Sequence, residues 1–302
     1  MPEIGRLLTA MVTPMTRDGA VDFDAAQRLA RLLVSDGSDG VVVAGTTGES
    51  PTLSDDEKIE LLRRVKEAIP AHSVVAGTGG NDTQHSIALS KRAAEAGADA
   101  LLCVVPYYNK PPQEGMYHHF RAIAQESGAP VIMYNIQGRT AVNMTVQTTL
   151  RCAEIPGVIG VKEASGDIDQ IGLVCARKPE GFSVWSGDDS FTLPLLAVGG
   201  DGVIGVTTHL AGRAMKEMIT AFLRGDIATA RHIHGRLLPL VKALMTTAAN
   251  PVPLKSVLPA LGFPAGPFRL PLTPLSEPEV ERVLDAVRQA GELVTFAPAG
   301  VG

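Results

Sequence analysis

The sequence predicts an α/β protein, a (β/α)8 TIM barrel with a C-terminal helical extension. Three observations point there. Short apolar runs recur through the first part of the chain, amphipathic segments of helix length separate them, and the 302 residues exceed the ~250 that such a barrel uses as one domain.

Strands are expected at 7–12, 40–44, 73–77, 100–105, 130–134, 158–162, 182–186 and 202–206. Each run is rich in Val, Ile, Leu or Ala with little alternation, as in parallel strands covered on both faces. The segments between them carry helical signals. Ala25, Leu29, Leu32 and Leu33 form one apolar stripe, and Ile87, Leu89, Ala93 and Ala96 form another. Ser54, with Glu57 three residues on, makes a capping box ahead of Ile59, Leu61, Leu62, Val65, Ala68 and Ile69. Gly37, Gly97 and Gly128 fall where helices should stop. These units in a row close a barrel over residues 1–224, the expected catalytic unit. Residues 225–302 read as a helical extension without a catalytic motif of its own. Its helices are expected over 226–248, 252–261 and 277–292, with a Pro- and Gly-rich break at 262–274 and a loosely ordered tail over 293–302.

Composition narrows the function. A net charge of -5 without a Lys/Arg cluster speaks against a nucleic-acid partner. No segment reaches the ~18 uninterrupted apolar residues of a membrane helix, and the first residues lack the pattern of a secretion signal. Cys103, Cys152 and Cys175 are odd in number and show no CxxC spacing, which fits a reducing, cytoplasmic setting. Cys103 lies in an apolar run and reads as a core residue.

Active sites of such barrels are built at the C-terminal ends of the strands. The polar residues there are Gly45-Thr46-Thr47-Gly48-Glu49-Ser50 after the second strand, Pro106-Tyr107-Tyr108-Asn109 after the fourth, Tyr134-Asn135 and then Arg139 after the fifth, Lys162-Glu163 after the sixth, and Gly187-Asp188-Asp189 after the seventh. Lys162 ends the run Val158-Ile159-Gly160-Val161. Desolvation there should lower its pKa, and a neutral amine attacks ketones to form imines. Against this stands a strand-end lysine that snorkels to solvent. Tyr134, at the same level of the adjacent strand, suits proton transfer during imine formation. The Gly-flanked Thr46-Thr47 turn presents hydroxyls and N–H groups suited to a carboxylate. Arg139 offers a planar fork for a second carboxylate, although an exposed ion pair is the commoner role. Gly77-Thr78-Gly79-Gly80 is no phosphate loop, since no Gly-Lys-Ser/Thr follows. The histidines lack metal spacing, and His118-His119 and His232-Ile233-His234 read as surface residues. No metal and no cofactor is expected.

Together these motifs resemble the dihydrodipicolinate synthase family. The resemblance covers almost the whole chain, including Pro106 to Pro111, Gly138-Arg139-Thr140, Gly160 to Asp167, Ser186 to Asp189 and Asn250-Pro251-Val252-Pro253-Leu254-Lys255. It implies condensation of pyruvate with L-aspartate-4-semialdehyde through a Schiff base on Lys162, in lysine and diaminopimelate biosynthesis. Tyr134 would be the general acid/base, and Thr46 would link it to Tyr108 of a neighbouring subunit. Thr47 would bind the pyruvate carboxylate, Arg139 the semialdehyde carboxylate, and Gly187 and Ile204 would line the pocket. The resemblance further implies a homo-oligomer, a tetramer built as a dimer of dimers. It also implies an inhibitory L-lysine cleft at Ser50, Pro51, Asp55, Lys58, Asn81, His85 and Tyr107. Sensitive members resemble one another in carrying histidine at the place of Lys58 and glutamate at that of His85, so weak inhibition is expected here. Gln137 stands where the family often has proline, which would loosen the Arg139 loop or add a polar contact. The competing readings are another pyruvate lyase, such as N-acetylneuraminate lyase or a 2-keto-3-deoxy sugar-acid aldolase, and a non-catalytic keto-acid sensor.

Overall fold

The computed structural model describes residues 4–296. Eight parallel strands close into a barrel in sequence order, the first pairing with the last. They are β1 Leu7–Ala10, β2 Gly40–Val43, β3 Ser73–Gly77, β4 Ala100–Val104, β5 Val131–Asn135, β6 Val158–Glu163, β7 Ser183–Ser186 and β8 Gly202–Gly205. Each lies within one or two residues of its expected position. The helices between them are α1 Phe23–Ser35, α2 Asp55–Ala68, α3 Thr83–Glu95, α4 Gln113–Glu126, the single turn α5 Gln137–Thr140, α6 Val146–Ala153, α7 Ile168–Arg177, α8 Thr192–Ala197 and α9 Thr208–Leu223.

The alternation of side chains along each strand separates two cores. Leu8, Ala10, Val42, Val75, Leu102, Ile132, Trp185 and Ile204 fill the barrel interior. The residues between them, such as Val41, Val74, Leu101, Met133 and Val161, pack beneath the helices. Both faces are buried, which is why the strands read as near-continuous apolar runs. Trp185 is the largest interior plug, and its indole donates to the Gly5 carbonyl at 2.9 Å. Gly160 makes room for it, since a Cβ there would lie 2.5 Å from the indole ring.

The helix signals hold. Ser54 and Glu57 form the reciprocal capping box of α2, which buries Ile59, Leu61, Leu62 and Val65. Gly37, Gly97 and Gly128 end helices with φ of 108°, 93° and 78°, values that glycine adopts without steric cost.

After the barrel come α10 Ile227–Thr246, α11 Val252–Val257 and α12 Glu277–Ala290. The expected helix over 252–261 tightens into a 3-10 turn from Leu258 to Leu261. α10 packs on α9 and α12. Lys255 of α11 forms a fully buried ion pair with Glu49 at 2.5 Å and donates to the Pro267 carbonyl at 2.8 Å. Removing either partner of such a pair typically costs about 3–5 kcal/mol, so the extension is locked to the loop after β2. Arg269 adds a second clamp through paired bonds to Glu57.

The expectation of a loose tail is corrected over 293–296. The N–H groups of Thr295 and Phe296 donate to the Leu210 carbonyl, and the Phe296 ring packs edge-on against Phe263. The rest of the tail, 297–302, lies outside the described residues. Among the described residues, no helix is long and apolar enough to cross a membrane.

Candidate active site

Lys162 and Tyr134 are direct partners in the β5–β6 register. Both side chains point into the barrel and both are 5% exposed. The Lys162 ammonium position lies 4.4 Å from the centre of the Tyr134 ring. Burial brings the Lys162 pKa down to about 8. The carboxylate of Asp189 opposes that fall and the charge of Arg139 assists it. Burial likewise pushes the Tyr134 phenol well above its usual range, with Arg139 acting against the rise and Asp188 with it. The pair therefore offers an amine partly neutral near physiological pH beside a phenol that keeps its proton.

Gly187 follows β7 against the lysine stem. A Cβ there would lie 3.0 Å from Lys162 Cε and 2.8 Å from Ala164 Cβ, so the absence of a side chain admits the amine. Ile204 is fully buried on β8. Asp189 is also buried and accepts the N–H groups of Val206 and Thr207. Burial raises its pKa despite those bonds.

The turn after β2 closes on itself through Gly48 N–H to the Gly45 carbonyl and Glu49 N–H to the Thr46 carbonyl. Among the described residues, the N–H groups of Thr46 and Thr47 have no acceptor. Adjacent free N–H groups of this kind form an anion-binding concavity. Thr47 is buried, and its hydroxyl accepts from Asn250 Nδ2 at 2.9 Å.

Thr46, Tyr134 and Arg139 line one cleft of about 430 Å³. Ser50, Pro51, Lys58, Asn81, His85 and Tyr107 line the same cleft, so the expected inhibitor positions share one space with Thr46, Tyr134 and Arg139 within a single chain. Asp55 lies behind them and bonds His85 Nε2 at 2.7 Å and Lys58 Nζ at 3.4 Å. Arg139 also borders a second cavity of about 510 Å³, with Gly138, Ser165, Gly187, Asp188 and Ala249. It is held by a bond from Nη2 to the Asn250 carbonyl at 3.1 Å. Gln137 is exposed at the first position of α5 and its side chain makes no hydrogen bond among the described residues. That position tolerates proline because its N–H is not needed.

Tyr108 is not brought to the others. It is 87% exposed, with a φ of 71°. No hydrogen bond among the described residues joins Thr46 to Tyr134 or to Tyr108.

One expectation about histidines is corrected. His119 is buried, with Nδ1 2.9 Å from the Thr83 hydroxyl, and burial lowers its pKa to about 4. Its place three residues after Met116 and four before Ile123, both buried in α4, was the available signal. His234 is half-buried, while His118 and His232 are exposed. Among the described residues, no cluster of three or more His, Cys, Asp or Glu is arranged to hold a metal.

A sequence model described as the dihydrodipicolinate synthetase family matches residues 3–290. The chain belongs to this family. Among its relatives, the 4-hydroxy-tetrahydrodipicolinate synthase of Moorella thermoacetica is 54% identical over 96% of this chain and 99% of its own. The dihydrodipicolinate synthase of Cyanidioschyzon merolae, crystallised with lysine bound, superposes with a TM-score of 0.94 at 43% identity, covering 96% of this chain and 99% of that one. The chloride-inhibited family member from Acinetobacter baumannii, complexed with pyruvate, gives 0.92 at 38% identity, over 95% and 99% of the two chains.

Proposed function

We propose that the protein condenses pyruvate with L-aspartate-4-semialdehyde through an imine at Lys162, giving 4-hydroxy-tetrahydrodipicolinate. The observation that carries this reading is the buried amine of Lys162, its pKa lowered to about 8, under the Tyr134 ring. Neutral Nζ adds to the ketone carbon of pyruvate. The resulting carbinolamine loses its oxygen as water, with the protonated Tyr134 phenol as donor. The pyruvate carboxylate rests on the free N–H groups and hydroxyl of the Thr46-Thr47 turn. The Tyr134 phenolate left by that step then takes a proton from the methyl group to give an enamine, whose carbon adds to the aldehyde of the second substrate, the aldehyde oxygen taking up the proton. The amine of that substrate attacks the imine carbon, closes the ring and displaces Lys162. Arg139, at the edge of the cleft, takes the second carboxylate. The imine itself serves as electron sink, so these steps call on no cofactor.

Residues 1–224 supply the reacting groups in this reading, and the extension after them braces those groups through Asn250 and Lys255. The exposed Tyr108 beside the half-exposed Tyr107 supports an assembly of at least two subunits, with Tyr108 completing a partner's proton relay through Thr46. The pathway reading carries with it a cytoplasmic location. The test is turnover: pyruvate and aspartate semialdehyde should disappear together in equal amounts. Consumption of pyruvate with N-acetylmannosamine or a sugar aldehyde, and not with the semialdehyde, would place the chain with the sugar-acid lyases.

A further inference from the structure

Asn250 stands where the C-terminal extension meets the site. It lies between α10 and α11 and is 8% exposed. Its Nδ2 donates to the Thr47 hydroxyl at 2.9 Å, and its backbone carbonyl accepts from Arg139 Nη2 at 3.1 Å. A residue outside the barrel strands thus touches both side chains assigned to substrate carboxylates. Its place is fixed from behind. Lys255 N–H returns to the Pro251 carbonyl at 3.0 Å, and the Lys255 side chain is buried against Glu49, in the same loop as Thr47.

The direction of the first bond matters. A threonine hydroxyl has one proton to donate and lone pairs to accept. The Asn250 amide occupies the acceptor side of Thr47. Among the described residues the hydroxyl proton has no acceptor of its own, and the N–H groups of Thr46 and Thr47 are free beside it. All three donors are therefore left for an anion. The Asn250 Oδ1 is buried without a partner among the described residues.

We infer that Asn250 is a positioning residue for the condensation: it fixes the Thr47 hydroxyl as a donor to the pyruvate carboxylate and ties that donor to Arg139. This rests on the reading under Proposed function. Asn250→Asp puts an acceptor where the donor was. The Thr47 proton then turns to the introduced carboxylate, and lone pairs and a negative charge face the substrate carboxylate. Asn250→Ala removes the donor and leaves the hydroxyl free to rotate.

The experiment measures the pyruvate concentration that gives half-maximal borohydride-trapped adduct by intact mass. It compares the native chain, Asn250→Ala, Asn250→Asp, Thr47→Val and the two double variants, each with its melting temperature recorded. Asn250→Asp should raise the half-saturating pyruvate about tenfold or more, the loss of one hydrogen bond to a charged group. Asn250→Ala should raise it severalfold. Asn250→Ala should not raise it further in the Thr47→Val background, because the two residues act through one bond, whereas the charge introduced by Asn250→Asp should keep part of its effect there. Unchanged half-saturation in Asn250→Ala, or effects of Asn250→Ala and Thr47→Val that multiply in their double variant, would overturn the inference. If the aspartate variant does not fold, the alanine pair of variants decides by the same criterion. A native chain that traps no pyruvate at all would instead strike the proposed function, and the inference with it.

Discussion

Removing the charge opposite Lys162, in Asp189→Asn, should shift the pH dependence of imine formation downward. Burial lowers the Lys162 pKa from 10.5 to about 8, roughly 3 kcal/mol at about 1.4 kcal/mol per pH unit. About a tenth of the amine is then neutral at pH 7, against roughly one in 3,000 for an ordinary lysine, a gain of about 300-fold in nucleophile. Only the neutral amine attacks, so the forming rate should rise about tenfold per pH unit at low pH and level off near pH 8. Asp189 favours the ammonium, so its loss should move the inflection down by roughly one pH unit, the low end for a nearby opposite charge. The assay mixes protein and pyruvate at each pH and quenches into borohydride at one fixed pH, so that only the forming step feels the variation. A rate still climbing tenfold per unit beyond pH 9 would refute the role of burial. An inflection unmoved in Asp189→Asn would refute the charge pairing.

Three further outcomes follow from the same geometry. Arg139→Ala should raise the KM for the semialdehyde by about one to two decades, since a hydrogen bond to a charged group is worth roughly 1.5–3 kcal/mol, while pyruvate trapping persists; an unchanged KM would remove Arg139 from that role. L-lysine should inhibit weakly, because Asp55 is already engaged by Lys58 and His85 and both basic residues face the same cleft; half-inhibition below about a millimolar, on the usual affinity scale, would contradict this. Mixed Tyr108→Phe and Lys162→Ala subunits should recover activity that neither variant has alone, and failure after verified subunit exchange would count against a shared relay.

The barrel was legible because both faces of the strands are largely buried, which leaves eight near-continuous apolar runs, and because Gly and capping signals bracket the helices. Lys162, Tyr134 and the Thr46-Thr47 turn were legible because polar groups at strand ends stand out against such runs. Asn250 and Asp189 carry no local signal of a role. Their importance comes from contacts across a long stretch of sequence, Asn250 to Thr47 and Asp189 to Val206 and Thr207, and no local pattern encodes such closures. His119 was misplaced because its residue type outweighed its position on the buried stripe of α4. The order of the tail at Thr295 and Phe296 is invisible in the sequence for a related reason: its hold on Leu210 and Phe263 is tertiary.

The most direct test of the central claim is to incubate the protein with pyruvate, reduce with borohydride and map the modified peptide by mass spectrometry. The account predicts one reduced pyruvate adduct per chain, on Lys162. Label on another lysine, such as Lys110 or the buried Lys255, or no adduct at all, would contradict it.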